Sequence, residues 1–177
     1  ILKASQEVAT GIGSGGGYQM MGLEVRDPEG VEGNVRMLPG LGLLPVITTM
    51  QGDKVTRQVE FTFDGTEALC KGYEIHMGRT VPAEGSPPSP FNQLADGREE
   101  GYQDKQKKCL GTYIHGILDN QPFIDFLLAP YIGKLGQQTF DYTAFKEEQY
   151  DKLAEHVRKH INMPLLYDCL LYTSPSP

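Results

Sequence analysis

A glycine-rich stretch near the start of the chain restricts its fold more than any other feature. The stretch reads GIGSGGGYQMMG, from Gly11 to Gly22, and holds six glycines in twelve residues. Glycine permits positive φ angles and close backbone approach, so such a run is typical of a sharp turn from a strand into a helix. We predict a nucleophile elbow, with a helix that begins near residues 17–20 and whose first N–H groups stabilise an oxyanion. Ser14 is the only candidate nucleophile in this turn.

A dinucleotide-binding loop is the weaker interpretation of the same stretch. Its letters contain G-x-G-x-x-G at Gly11, Gly13 and Gly16. That fingerprint requires a buried strand before it and an acidic residue about twenty positions later. The preceding ASQEVAT is polar, and RDPEGVEG, which contains the available acidic residues, is predicted to be a loop. The G-K-[ST] ending of a phosphate-binding loop is also missing from the sequence.

Composition narrows the classes of function. The chain has 177 residues and a net charge of −7, with no basic run interleaved with aromatic residues, which argues against a nucleic-acid partner. No apolar stretch approaches the ~20 residues of a membrane helix. The three cysteines are not at metal-ligand spacing. We therefore expect a cytoplasmic protein of one α/β domain, with no metal site and no membrane partner.

The middle of the chain predicts a β-hairpin. Residues 55–63 (VTRQVEFTF) alternate between apolar and polar side chains, as in a half-buried antiparallel strand. Asp64-Gly65 is a hairpin turn signal, and the second strand is expected in CKGYEIHMG, residues 70–78. Three further segments are predicted: a buried strand at the end of residues 38–50, a loop over residues 82–96, and a strand from Cys109 to His115.

A C-terminal helix is predicted from the 3.6-residue period of its apolar positions. We expect Glu147 and Glu148 in its first turn, and Pro164 to end it. Glu148 and Lys152 form a favourable i,i+4 pair, as do Glu155 and Lys159. The apolar stripe consists of Tyr150, Leu153, Ala154, Val157 and Ile161.

His115 is the strongest candidate catalytic base among the four histidines. It is expected at a strand end, before Gly116, where a loop presents it. His76 is more central to its strand, so packing or hydrogen bonding competes with catalysis there. His156 and His160 have metal-pair spacing but are expected on a solvated helix face. Cys109 would lie about 20 Å from His115 on one extended strand, too far for proton transfer.

Seven motifs occur in order along the chain: GGYQMMG, DPEGVEG, GLGLLPVITT, Lys54 before TRQV, GYEIHMGRT, GTYIHG and YDKLAEHVRKHINMP. Together they resemble one family, the cobyric acid synthases. In order and spacing, residues 1–168 resemble the C-terminal glutamine amidotransferase domain of that family. The resemblance implies a class I, flavodoxin-like α/β domain truncated at its N-terminus, and Cys169–Pro177 (CLLYTSPSP) is predicted to be a non-native, adapter-derived tail.

This resemblance implies a role in cobalamin biosynthesis. In the family, an elbow cysteine attacks the side-chain amide of glutamine, and a histidine transfers the protons. The ammonia passes to an N-terminal, ATP-dependent synthetase domain of the same chain. With ATP and magnesium, that domain amidates carboxylates of the corrinoid adenosylcobyrinic acid a,c-diamide. No cofactor is implied for the amidotransferase domain itself.

The family's site residues can be carried over one at a time. His115 in GTYIHG matches the catalytic histidine, and Ile117 leaves no His-x-Glu pair, which this family also lacks. Gly15 stands where the family has its nucleophilic cysteine. Glu74 and His76 are expected to have a structural or substrate-side role. The remaining elbow and oxyanion positions are Gly16, Gly17, Tyr18 and Gln19.

Two interpretations of Gly15 remain open. In the first interpretation, the glycine is a sequencing error. The family has cysteine at position 15, isoleucine at position 14 and valine at position 11, and one T-to-G base change in each codon would give Gly15, Ser14 and Gly11. Alternatively, the loss is genuine, and the chain is an inactive interaction domain of a synthetase that uses free ammonia. In both cases the chain as written is not expected to hydrolyse glutamine through a thioester, because its nucleophile is missing.

Overall fold

The computed structural model describes residues 10–131 and 141–172, and the chain divides into two compact units between Leu127 and Leu128. The sequence of residues 1–10 also predicts the end of a helix, but of these residues only Thr10 is described. Of the tail predicted at residues 169–177, only residues 169–172 are described, and they continue a helix. Strands and helices both occur, which confirms the predicted α/β class. None of the described helices is both long and apolar enough to cross a membrane.

The first unit consists of short strands around one long hairpin, with two short helices. Its α-helices are α1 (Gly16–Met21) and α2 (Gln121–Leu128), of which Leu128 falls past the division between the units, and a 3₁₀ helix spans Ile117–Asp119. Its strands are β1 (Gly11–Ser14), β2 (Glu24–Arg26), β3 (Met37–Pro39), β4 (Val46–Phe63), β5 (Cys70–Pro82), β6 (Asn92–Leu94), β7 (Glu99–Glu100), β8 (Tyr102–Asp104), β9 (Cys109–Thr112) and β10 (Ile114–His115).

These strands form two sheets. The small sheet has the order β1-β9-β8, with β1 parallel and β8 antiparallel to β9. The large sheet has the order β10-β5-β4-β2-β3, and β6 and β7 extend it from the Phe61–Phe63 end of β4. β1 ends at the start of α1, and β9 ends one residue before β10. This arrangement places the glycine-rich turn beside the segment that leads to His115.

The predicted hairpin is confirmed, and β4 also includes the buried strand predicted at the end of residues 38–50. β4 and β5 are antiparallel, with a register shift between Met50 and Val55. Asp64 and Gly65 have φ angles of 44° and 75°, and Thr66 N donates to Phe63 O at 2.8 Å, so a turn is present where the sequence predicts it. The connection is longer than a tight hairpin turn, because residues 64–69 separate β4 from β5. The alternation predicts the buried face correctly, since Val59, Phe61 and Phe63 are all in the core.

Two predicted elements differ from the structure. Residues 82–96 are not entirely a loop, because Asn92–Leu94 pairs with Phe61–Phe63 and satisfies the backbone groups at that end of β4. The strand predicted from Cys109 to His115 is two strands in different sheets, separated by Tyr113. Because the chain passes from one sheet to the other at Tyr113, the distance of about 20 Å estimated between Cys109 and His115 along one extended strand does not apply.

Two clusters of buried apolar side chains stabilise the first unit. One includes Phe61, Phe63, Phe91, Ile114 and Phe123. Cys70 is buried in this cluster, where its thiol packs as a small apolar side chain. The other cluster lies around α1. It includes Tyr18, Met21, Leu44, Val46, Tyr102, Cys109 and Tyr113.

The second unit contains the predicted C-terminal helix with different ends. This helix, α3 (Tyr142–His160), begins after Asp141, whose side chain accepts a hydrogen bond from Ala144 N at 2.9 Å. Glu147 and Glu148 are therefore past the first turn, contrary to the prediction. Pro164 does not end α3 either, because it is the second residue of α4 (Met163–Tyr172), a position that proline tolerates. The Glu148–Lys152 ion pair is present at 2.7 Å.

Candidate active site

The strand-to-helix turn predicted in the glycine-rich stretch is present at Gly15. β1 ends at Ser14, α1 begins at Gly16, and Gly15 between them is buried, with φ 55° and ψ −120°. L-residues rarely adopt this backbone conformation, and where it occurs with a side chain it is associated with functional sites. Gly15 N donates to Thr112 O at 3.0 Å, which holds the turn against the end of β9.

Close packing under the turn explains two of the surrounding glycines. A Cβ at Gly13 would lie 2.5 Å from Met21 Sδ and 2.9 Å from the backbone of Gly17. A Cβ at Gly111 would lie 1.9 Å from the ring of Tyr18. Both positions therefore require glycine, because α1 lies directly on β1 and β9. Packing, rather than phosphate binding, accounts for these glycines.

Residue 15 faces the imidazole of His115. A Cβ built on Gly15 would lie 3.1 Å from both Cε1 and Nε2 of His115. The His115 ring also stacks on Tyr73, with centroids 5.4 Å apart and 15° between the planes. A side chain at position 15 would therefore start beside an imidazole that is held in place. This is the relation that a nucleophile and its general base require.

The other candidate nucleophiles lie elsewhere. Ser14 is exposed, and its Oγ donates to Ile114 O at 3.5 Å rather than facing His115. Cys109 pairs with Gly11, at the far end of β1 from the turn. Burial raises the pKa of the Cys109 thiol, which disfavours the reactive thiolate. Cys109 is thus a poor nucleophile, as predicted from the sequence, but pairing and burial are the reasons rather than distance along a straight strand.

The first residues of α1 are the open side of the site. Gly16 and Gly17 are exposed, and a Cβ on either would meet nothing within 4 Å among the described residues. Tyr18 is buried, and its ring lies 5.2 Å from that of Tyr113. Gln19 Nε2 donates to the Tyr113 hydroxyl at 3.4 Å. Of the four predicted elbow residues, Gly16 and Gly17 are therefore exposed, whereas Tyr18 and Gln19 contact Tyr113 and hold α1 in place.

Glu74 and His76 lie in a separate cluster of charged residues on β5. Glu74 is 2% exposed, and its Oε2 accepts from Arg57 Nε at 2.5 Å and from an Arg98 NH₂ group at 3.3 Å. Burial raises the pKa of Glu74, but the imidazole of His76 and the guanidinium groups of Arg57 and Arg98 outweigh it and lower the pKa to about 2. Glu74 is therefore a fixed negative charge rather than a proton carrier near neutral pH.

His76 is held by packing and hydrogen bonding. Its Nδ1 is 2.8 Å from Gly78 O, and its ring stacks on Tyr113 with centroids 3.9 Å apart. Its Nε2 lies 3.7 Å from Glu74 Oε1. A cavity of about 590 Å³ adjoins the cluster, and its lining includes Tyr18 and Tyr113 but neither Gly15 nor His115. The structure thus brings Glu74 and His76 together at this cavity.

A buried carboxylate between the two sheets was not predicted from the sequence. Glu100 Oε2 accepts from Thr112 Oγ1 at 2.6 Å and from Asn92 Nδ2 at 2.7 Å, and Oε1 accepts from Tyr113 N at 2.6 Å. Burial raises the pKa of Glu100, against the effect of the three hydrogen bonds that favour the carboxylate. The sequence shows only two adjacent acidic residues, Glu99 and Glu100. Because they form a strand, their side chains point to opposite faces, so that Glu99 is exposed and Glu100 is buried.

No metal centre is formed within residues 10–131 and 141–172, where no group of three or more His, Cys, Asp or Glu side chains is placed to hold an ion. His156 and His160 lie one turn apart on α3, with ring centroids 4.2 Å apart. His160 Nδ1 is 2.7 Å from His156 O, so backbone contact accounts for the orientation of this ring.

Comparison with known proteins gives a consistent set of similarities. The family described as "CobB/CobQ-like glutamine amidotransferase domain" matches residues 1–123. A cobyric acid synthase of Phocaeicola vulgatus is 62% identical over 171 residues, which cover 96% of this chain and 34% of the relative. One from Bacteroides fragilis is 61% identical over 170 residues, with the same coverage. One from Syntrophobacter fumaroxidans is 41% identical over 171 residues, covering 87% of this chain and 33% of the relative. The chain thus spans about a third of the length of these relatives.

Proposed function

The chain belongs to the family of CobB/CobQ-like glutamine amidotransferase domains, and on this premise we propose that it is the glutaminase domain of a cobyric acid synthase. Its fold is accordingly the flavodoxin-like α/β form of class I amidotransferases. The observation that carries the proposal is the geometry at position 15, where a side chain would start 3.1 Å from the His115 imidazole. Similarity to cobyric acid synthases over 96% of the chain supports the choice of enzyme.

The proposed chemistry is acyl transfer through a residue at position 15. With cysteine there, His115 takes the thiol proton, and the thiolate attacks the side-chain carbonyl carbon of glutamine. The N–H groups of Gly16 and Gly17 stabilise the oxyanion of the tetrahedral intermediate. His115 then protonates the departing nitrogen, which leaves as ammonia. Water hydrolyses the γ-glutamyl thioester to glutamate and restores the thiol.

The ammonia is proposed to serve a synthetase domain of the same protein. Relatives about three times as long as this chain support that arrangement, since the chain covers 34% of their length. The synthetase domain would bind ATP and Mg²⁺ and activate carboxylates of adenosylcobyrinic acid a,c-diamide for amidation. Glu74 and His76 have a structural role in this proposal, because their contacts are with Arg57, Arg98, Gly78 and Tyr113.

Gly15 itself favours a second candidate function. With glycine at this position the turn has no thiol, and glycine is also the residue that adopts φ 55° with least strain. The chain as written would then be a glutaminase-inactive domain that docks on a synthetase fed by free ammonia. This candidate shares the fold and the partner with the first and differs only in the chemistry of residue 15.

Restoring a thiol at position 15 tests the proposed function. In the full-length protein, Gly15→Cys is expected to release glutamate from glutamine, whereas Gly15→Ser and Gly15→Cys/His115→Asn are expected to be at least ~100-fold slower. The serine variant is the matched control, because it adds a side chain of similar size without a thiol. A folded Gly15→Cys protein that releases no glutamate would contradict the assignment of residue 15 as the nucleophile position.

A further inference from the structure

Glu100 is connected to both halves of the candidate site. Its Oε1 accepts from the backbone N–H of Tyr113, the residue at which the chain leaves β9 for β10. Its Oε2 accepts from Thr112 Oγ1, and the same hydroxyl accepts from Ile114 N at 3.0 Å. The carboxylate therefore holds three consecutive residues, 112–114, at which the chain passes from the small sheet to the large sheet. This segment is called the crossover. His115 is the next residue, and Thr112 O accepts from the backbone N–H of Gly15.

We propose that Glu100 is a positioning residue, whose carboxylate fixes the crossover at residues 112–114 so that His115 faces residue 15. This inference rests on the proposed function for its catalytic consequence. Without the carboxylate, the N–H group of Tyr113 would lose its acceptor. The hydroxyl of Thr112, which accepts from Ile114 N, would lose the group that orients it. The imidazole of the next residue would then no longer be held against the turn.

The hydrogen bonds around Glu100 require an acceptor-only group at position 100. Thr112 Oγ1 already accepts from Ile114 N and from Asn92 Nδ2 at 3.0 Å, so its own proton is directed to Glu100. Glu100 thus receives three donors on two oxygens and donates to none of them. A glutamine would bring an NH₂ group against at least one of these donors. Glu100→Gln consequently disrupts the crossover although it preserves the shape of the side chain.

The reactivity of a thiol at position 15 reports on this positioning without any need for glutamine. A thiolate beside imidazolium has a lowered pKa, so the rate of alkylation by iodoacetamide stays high at mildly acidic pH. In full-length Gly15→Cys protein, we expect Glu100→Gln to raise the apparent pKa for alkylation of the introduced thiol, read by mass spectrometry of the peptide that carries it. We also expect kcat for glutamine hydrolysis to fall by about tenfold to a hundredfold, with KM changed by less than about threefold.

Matched variants separate positioning from general destabilisation. Glu99→Gln changes the exposed neighbour on the same strand and is expected to leave both readouts unchanged. If Glu100→Gln fails to fold, Thr112→Val replaces it, with Thr112→Ser as the control that keeps the hydroxyl. An alkylation profile in folded Glu100→Gln or Thr112→Val protein that equals that of Gly15→Cys overturns the inference. If Gly15→Cys releases no glutamate but its alkylation profile still shifts with Glu100→Gln, the proposed function fails while the positioning role stands.

Discussion

Glycine at position 15 has the backbone conformation, with φ 55° and ψ −120°, of the strand-to-helix turn that the sequence predicts there. The sequence was sufficient to locate this position, because a run of glycines before Tyr18-Gln19 has few structural uses and a family motif fits it. The residue pattern alone does not place this position beside His115, because 100 positions separate the two residues in the sequence, and only the family resemblance implied that they act together. Their proximity depends on the parallel pairing of β1 with β9, which brings Ser14 opposite Thr112.

Unlike the turn at Gly15, the buried position of Glu100 could not be predicted from the sequence. An acidic residue in a charged stretch is usually solvated, so nothing in the sequence predicts that this side chain is buried. Its three hydrogen bonds come from Asn92, Thr112 and Tyr113, which lie on other strands and loops. Burial of such a group therefore becomes predictable only once the partners are known from the fold.

Glu74 is expected to make stability depend on pH. Its pKa in the folded chain is about 2, below the ordinary value of 4.5, so the folded state binds fewer protons than the unfolded state between these values. Its stabilising contribution is present above about pH 4.5 and is lost as the pH falls toward 2. Urea unfolding should therefore show Glu74→Gln less stable than the parent near pH 7, with the gap closing in that window.

Glu60→Gln is the matched control for this pH series. Glu60 lies on β4 and pairs with Lys71, but its side chain is 50% exposed, so only a small effect on stability is expected. A gap between Glu74→Gln and the parent that stays constant from pH 7 to about pH 2 would show that the ion pairs of Glu74 do not stabilise the fold.

At the scale of elements, local pattern predicts the long hairpin and not the short strands. The alternation in residues 55–63 and the Asp64-Gly65 turn are both local signals, and β4 and β5 are found as predicted. β6 and β7 are only 3 and 2 residues long, and they exist because partners on β4 and on each other satisfy their backbone groups. Such strands have no periodicity of their own to detect.

Gly111→Ala should disturb the contact between β9 and α1. The new Cβ would lie 1.9 Å from a Tyr18 ring atom, so the ring and α1 must move away. We expect a loss of about 1–3 kcal/mol in the free energy of unfolding, as is typical of overpacking. Glutaminase activity in a Gly15→Cys background should also fall, because α1 carries the residues that follow the turn. Urea unfolding and glutamate release measure the two effects.

Gly52→Ala on β4 is the control for this contact. A Cβ there would meet nothing within 4 Å among the described residues, so stability should change by less than about 0.5 kcal/mol. Equal stability of Gly111→Ala and Gly52→Ala would mean that Tyr18 can leave β9 without cost, which would contradict the close packing of the turn.

At the scale of the whole molecule, the chain divides into two compact units between Leu127 and Leu128. The single domain that the sequence predicts to residue 168 stays a prediction. The family match ends at residue 123, close to that division. The periodicity of α3 predicted its existence but not its environment. Tyr150, Leu153 and Val157 on the predicted stripe are 57%, 60% and 38% exposed. A helical period states which side chains share a face, and it does not state what covers them.

The nitrogen source should distinguish the chain as written from its Gly15→Cys variant. Under the proposed function, full-length protein with Gly15 lacks the thiol for acyl transfer, so glutamine-dependent amidation of the proposed corrinoid substrate should be at least ~10⁴-fold below that of Gly15→Cys. Ammonium ions bypass the glutaminase step, so both proteins should amidate at similar rates with ammonium chloride, ATP and Mg²⁺. Mass spectrometry of the corrinoid product measures each rate. If the Gly15 protein amidates with glutamine as fast as Gly15→Cys does, a nucleophile other than residue 15 is required. If neither protein amidates with ammonium, the defect lies in the synthetase.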